Sequence, residues 1–528
     1  MKRFLSLFCV LALLAACFVS CDEGGEGGDT GDENYDGTLA SLDFGGETLT
    51  VSVSMNDPEQ VTFKNAGLYT KGPDKSSTET VQKKVLARNK KVAEDLNATV
   101  IFQTTNWGVA EVQAHLEQLV TNDAGDAPDV YNNDILPMST AMLNGYFWNV
   151  TEPGLDAKGN AVKSYFDFDA ACWYGEYMRG ATLSSGKLYL LVGDYNIDIL
   201  RFAWVLFVNI DRWNATFAGL SPEDGWGFTD YESACDFIAE TGDWFYDDVI
   251  ALSALAHNDS GGSTQGKTDK GDEQIGLCIN SVAPRIFTWG SGVSVFMWTK
   301  NDKACAPGEG TPSMIPVADT DPLVRLGDKY TALYNGKGVL ASGIAVKDST
   351  TMFMDGKIVM SMAELGEMES AEMRGTSFKR GILPFPRYAR EYTDGINTVV
   401  HDQAEVSAIL NTADNFSLAS AYMQYINEES VEILDVYYEE VLKFKYNESR
   451  GARAMIDMVH DSIDSPFDSV MSINLYNRAI GNNTHFYTSF QQDALLVRNS
   501  TFVSTYEKQR GTLQVALEKM IADFEKLS

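Results

Sequence analysis

The stretch "ETVQKKVLARNKKVAEDLNATVIFQTT" (residues 79–105) contains one change of period that decides the architecture. Over 79–97, Val81, Val85, Val92 and Leu96 recur at helical spacing and share one stripe. After Asn97 the pattern changes: "ATVIFQTT" (98–105) is rich in β-branched residues and reads as a strand. The same alternation extends outward on both sides. Upstream, "TLTVSVSM" (48–55) alternates as a first strand. Downstream, "GVAEVQAHLEQLVTN" (108–122) puts Val109, Val112, Leu116 and Leu119 in register as a second helix. "APDVYNND" (127–134) then follows a Gly-Asp-Ala-Pro turn as a third strand. Strand, helix, strand, helix, strand implies a parallel sheet with helices on both faces. Such sheets take ligands beyond the carboxyl ends of their strands, where Asn106, Trp107 and Asp134 lie.

The mixed pattern continues. "KLYLLVGD" (187–194), "FAWVLFVNI" (202–210) and "EQIGLCIN" (273–280) read as strands, and "DWFYDDVIALSALAHN" (243–258) as a helix. The last hundred residues are mainly helical, ending in "TLQVALEKMIADFEKL" (512–527). Beyond the N-terminal segment some 480 residues remain, too many for one hydrophobic core, so two lobes are expected.

The first residues are of another kind. Lys2 and Arg3 precede an apolar run to residue 20 that is short for a bilayer core of about 30 Å, the layout of an export signal. Its end resembles a bacterial lipoprotein signal, in which a cysteine after small residues becomes the lipidated first residue. Cys21 in "FVSC" is the preferred attachment point and Cys17 in "LAAC" the alternative. Residues 22–37 hold seven carboxylates and six glycines, bury nothing apolar and read as a loose tether of about 25–30 Å reach. Formal charge is −33, and −35 once Lys2 and Arg3 are removed. So acidic a surface repels nucleic acid and anionic headgroups. Cys172, Cys235, Cys278 and Cys305 have no metal-ligand spacing, and both disulfides and free thiols are open to them.

Motifs for catalysis are weak. "GGSTQGKT" (261–268) satisfies a phosphate-loop pattern but follows a helix rather than a strand, and reads as a chance match. His115, His257, His401, His460 and His485 show no metal-hydrolase spacing. No G-x-S-x-G elbow exists. Aromatics carry more. Trp107, Trp173, Tyr174, Trp289 and Trp298 stand in irregular or glycine-flanked contexts, where aromatic planes can cover the C–H faces of sugars.

Several segments together resemble the family-1, sugar-binding type of extracellular solute-binding proteins of bacterial ABC importers. They are "LARNKKVAEDLNATV" (86–100), "APDVYNNDILPMSTAMLNGYFWNVTE" (127–152), "GDWFYDDVIALSAL" (242–255), "FMDGKIVMSM" (353–362), "GILPFPRYARE" (381–391), "VVHDQAEVSAI" (399–409) and "VYYEEVLKFKYNESRGARAMIDMV" (436–459). The resemblance implies an α/β, two-lobe, periplasmic-binding-protein-like (type II) fold with a hinge and a ligand cleft. It implies a signal peptide over 1–20, a tether over 21–45, a first lobe of 46–150 plus about 361–425, and a second of about 151–360 plus 426–528. Carried over by position, Trp107 and Asp134 line the cleft from the first lobe, and Trp173, Asp194 and Trp289 from the second. Glu364 near the crossing and Asp402 complete the set, tryptophans stacking and carboxylates accepting hydroxyls. The family's calcium-loop-like segment is degraded here to "NDSGGSTQGKTDKGDE" (258–273), so no metal is expected. The implied protein is a monomeric receptor, not an enzyme, without cofactor. It is held at the bacterial cell surface by its lipid, and its partners are a carbohydrate and the permease subunits of an ABC transporter. The alternatives are a peptide, polyamine or sugar-acid ligand on the same fold, or a surface glycan-binding lipoprotein without a transporter.

Overall fold

The computed structural model describes residues 37–54, 67–73, 79–105, 109–121, 127–154, 161–184, 186–218, 226–259, 268, 270, 272–341, 344–392, 395–445, 449–481 and 502–527. The export signal, Cys17, Cys21, most of the tether, Trp107 and most of the 258–273 loop lie outside the described residues.

The predicted parallel strands form. β1 (Thr48–Ser54) pairs in parallel with β2 (Thr99–Thr105) on one side and with β3 (Val130–Asp134) on the other. The register runs from Thr48 opposite Thr99 to Ser54 opposite Thr105. Helices Thr80–Asp95 and Val109–Thr121 make the connections. Val81, Val85 and Val92 are buried, as the stripe requires, and so is Arg88 between them. The Arg88 guanidinium donates to the carbonyls of Tyr69, Thr70 and Tyr195 and to Ser430 Oγ. Burial pulls its pKa down to about 10.

A second sheet has the order β11-β4-β10-β5-β9. Its members are β4 (Trp204–Asn209), β5 (Ile275–Cys278), β9 (Val339–Leu340), β10 (Ile358–Glu364) and β11 (Arg380–Pro384). β10, β5 and β9 are parallel, while β4 runs antiparallel to both β10 and β11. β4 and β10 are buried along their whole length. Alternation sends Trp204, Leu206 and Val208 into one core and Val205 and Phe207 into another, as a sheet covered on both faces demands. A small antiparallel sheet consists of β6 (Phe296–Lys300), β7 (Lys303–Ala304) and β8 (Thr311–Met314).

Two sequence expectations change. "KLYLLVGD" forms no ladder: it touches other strands only through isolated bridges, Leu191 to Ser407 and Gly193 to Trp173. Its apolar run marks a connecting segment that is buried throughout from Tyr189 to Asp194. The 361–425 stretch also does not go to one lobe. β10 and β11 pair in the second sheet, whereas β12 (Glu405–Ile409) joins the first, antiparallel to β3, with Glu405 opposite Asp134. The chain changes sheets between 384 and 405 because Pro384 closes β11 and the backbone from 398 onward bonds elsewhere. The four cysteines outside the signal are free thiols, three of them buried. No helix among the described residues is long and apolar enough to cross a membrane.

Where the sheets meet, charge is buried. Arg201, wholly enclosed, donates from Nε and Nη2 to Glu369 at 2.9 and 3.3 Å and from Nη1 to Asp198 at 2.6 Å. Tyr69 and Tyr437 donate their hydroxyls to the same Glu369, and the guanidinium lies 4.5 Å from the Tyr69 ring centroid. Tyr69 precedes the first connecting helix, Arg201 leads into β4, and Glu369 follows β10, so the knot binds both halves of the fold.

Candidate ligand-binding site

Two segments cross side by side between the sheets. Residues 191–204 lead into β4 and residues 399–407 into β12. Antiparallel bridges join Leu191 to Ser407 and Ala203 to Val400. Four backbone bonds tie them: Leu191 N to Ser407 O at 2.8 Å, Ser407 N to Leu191 O at 3.0 Å, Trp204 N to Val399 O at 2.9 Å and His401 N to Phe202 O at 3.0 Å. β10 ends at the same place, with Glu364 opposite Trp204.

The side chains here form a linked set. His401 Nδ1 lies 2.5 Å from Glu364 Oε1, and His401 Nε2 lies 3.1 Å from Asp402 Oδ1. Arg285 Nη1 reaches Asp402 Oδ2 at 3.5 Å. The Arg285 guanidinium in turn sits 5.8 Å from the Trp289 ring centroid. Trp289 ends the short helix Ala283–Trp289, which puts Arg285 and Trp289 one turn apart on the same side. Three predicted residues, Trp289, Glu364 and Asp402, are thus brought into one neighbourhood. His401 and Arg285, which link them, were missed, although His401 lies within the quoted "VVHDQAEVSAI".

Beside this set opens a cavity of about 470 Å³. Its aromatic lining is Tyr177, Trp289, Phe296, Trp298 and Tyr392, and its polar lining includes Ser294, Asn397, Asp464 and Asp468. Phe296 and Trp298 face it together because they alternate along β6, leaving Met297 outward. The Trp298 ring stands edge-on to Phe467 at 4.7 Å, which sets its plane. Asp464 accepts from Asn397 Nδ2 at 2.9 Å and from the Ser465 N–H at 2.7 Å, and Asp468 accepts from Ser294 Oγ at 2.6 Å. Burial, with Glu176 adding to it, raises the Asp464 pKa. The Tyr177 hydroxyl and Trp298 Nε1 are buried and have no hydrogen-bond partner among the described residues. Burial first, and then the Asp402 carboxylate, push the Tyr177 phenol well up, which places this ring between the cavity and the crossing. Among the described residues no group of three or more His, Cys, Asp or Glu side chains could hold a metal ion.

The other predicted residues stand apart. Trp173 is buried, donates Nε1 to Gln424 Oε1 at 2.9 Å and packs on Phe166 and Phe168; it belongs to a core and does not line the cavity. Asp194 is buried near Cys172 and Asp435, and burial first, then Asp435, pushes its pKa up to about 7. Asp134 ends β3 opposite Glu405, which is itself buried. Burial and the Asp198 and Asp134 carboxylates hold the Glu405 pKa well above the usual range. This polar end of the first sheet lies where ligands meet parallel strands.

No family model matches the sequence, and no curated protein is significantly similar to it. Solved structures are similar in fold. The galacto-N-biose/lacto-N-biose I-binding protein of an ABC transporter from Bifidobacterium longum, in complex with lacto-N-biose, aligns with a TM-score of 0.51 at 13% identity, over 91% of this chain and 98% of that one. A cyclo/maltodextrin-binding protein complexed with maltotetraose aligns with a TM-score of 0.50 at 10% identity, over 91% and 98%. Each alignment covers nearly the whole of both chains. The chain therefore has the two-lobe, periplasmic-binding-protein-like α/β fold of these binding proteins.

Proposed function

We propose that this chain is an extracytoplasmic solute-binding receptor, lipid-anchored through Cys21 (alternatively Cys17), that captures an oligosaccharide and delivers it to the permease of an ABC transporter. The observation that carries this reading is the cavity at the crossing: flat aromatic rings, two buried polar groups without partners among the described residues, and flanking carboxyl groups. Rings cover the apolar faces of a sugar while polar groups take its hydroxyls. The role is capture without bond chemistry, and closure draws on contacts that the ligand makes better in the closed state. Trp289 and Trp298 stack, while Glu364, His401 and Asp402 hold the crossing that the lobes turn on. Trp107 and Asp134 supply the facing wall from the first lobe, which comprises 46–150 and the segment rejoining it at β12.

Calorimetry of the mature protein against neutral oligosaccharides tests this. Binding is expected, and Trp289→Ala weakens it about tenfold, or roughly 1.4 kcal/mol. Silence across the panel with binding to peptides or polyamines would sink the carbohydrate assignment.

A further inference from the structure

The charge and donor pattern of the cavity bears on which sugars it takes. Its acidic lining among the described residues is Asp464 and Asp468. The Arg285 guanidinium is turned to Asp402 and the Trp289 ring. The Trp298 indole N–H and the Tyr177 hydroxyl, both more than nine-tenths buried, have no hydrogen-bond partner among the described residues. An indole N–H can only donate, so the ligand must bring it an acceptor. A ligand carboxylate is an acceptor but brings negative charge beside two acidic side chains, with no basic residue in the described lining to offset it. A hydroxyl both accepts and donates: it takes the indole N–H and gives its own proton to a carboxylate or to Tyr177.

Resting on the carbohydrate reading above, we infer that the site discriminates against acidic glycans, taking neutral sugars and rejecting their uronic-acid analogues. Trp298 is the specificity-determining donor, and Asp464 is the residue that excludes acids.

Calorimetry on the mature wild-type protein provides the test. The probes are maltose, maltotriose, cellobiose, mannotriose and lacto-N-biose, then the uronic-acid analogue of whichever sugar binds. The neutral sugar is expected to bind at least tenfold more tightly than that analogue. Trp298→Phe, which keeps the ring and deletes the N–H, is expected to weaken the neutral sugar about tenfold. Asp464→Asn is expected to narrow the gap to the uronic acid at least threefold, with thermal melting confirming that each variant folds. If a neutral sugar binds but its uronic-acid analogue binds as well or better, the selectivity inference falls and the carbohydrate reading stands. The same holds if Trp298→Phe folds and binds like the wild type. If no saccharide of any charge binds, the carbohydrate reading falls, and this inference with it.

Discussion

Replacing Glu369 with Gln removes one charge from the buried knot and almost no volume. The guanidinium of Arg201 then keeps Asp198 as its carboxylate partner, and of its two contacts to residue 369, at 2.9 and 3.3 Å, it keeps one and loses the other. A charge-assisted hydrogen bond contributes about 1.5–3 kcal/mol, and breaking a buried pair by removing one partner costs about 3–5 kcal/mol. The Gln oxygen still accepts one bond, so the low end applies, about 3 kcal/mol. The amide group also faces the Tyr69 and Tyr437 hydroxyls, which both donate to the native carboxylate. Urea unfolding followed by tryptophan fluorescence measures the loss. Glu94→Gln, in the exposed Lys90–Glu94 pair at 3.6 Å, is the matched control and is expected to cost under about 0.5 kcal/mol. The buried effect should persist in about 1 M salt, where the Debye length is roughly 3 Å. A loss for Glu369→Gln below about 1 kcal/mol, or one that vanishes with salt, would refute the reasoning.

Asp194 gives a pH dependence. Its pKa is raised to about 7 in the fold, so the proton it binds stabilises fully below the unfolded value near 4, and that contribution is lost as pH rises through about 7. Asp194→Asn should therefore gain roughly 2–3 kcal/mol on the wild type between about pH 5 and about pH 8; equal differences at both pH values would contradict this. Gly308 has φ +79, and a Cβ there would meet the Arg179 carbonyl oxygen at 2.1 Å. Gly308→Ala should cost about 2 kcal/mol or more and weaken sugar binding through its neighbour Pro307 in the cavity wall, read by melting and calorimetry. Mass spectrometry of the mature N-terminus should find an acylated Cys21; a start at any residue other than Cys21 or Cys17 removes the anchor.

The first sheet was legible because β1, β2, β3 and their helices are local units, each with its period written into adjacent residues. The antiparallel entry of β12 was not, since strand direction there depends on where a distant segment crosses. "KLYLLVGD" misled for a related reason: a short apolar run that is buried throughout reads as a strand whether or not a ladder forms. Trp289, Glu364 and Asp402, which the fold brings together at the crossing, were chosen because residue type and position agreed with a known layout. Trp173 was chosen on the same ground but packs in a core, and its partner Gln424, 251 positions away, is not announced by any local pattern. Tyr177, Arg285 and Asp464 come from segments remote in sequence, and no spacing pattern announces them.

The paired crossing has a mechanical consequence. Four backbone bonds, two at each end, fix the register of 191–204 against 399–407, and sliding one past the other would break all four. At about 1 kcal/mol net each, such a shear is dear beside a bend that leaves them intact. A turn of one sheet against the other about this crossing would displace each point in proportion to its distance from it. A fluorophore pair meant to report capture belongs at the far rims, on the edge strands β2 and β9, and the same pair set beside His401 would stay dark to it.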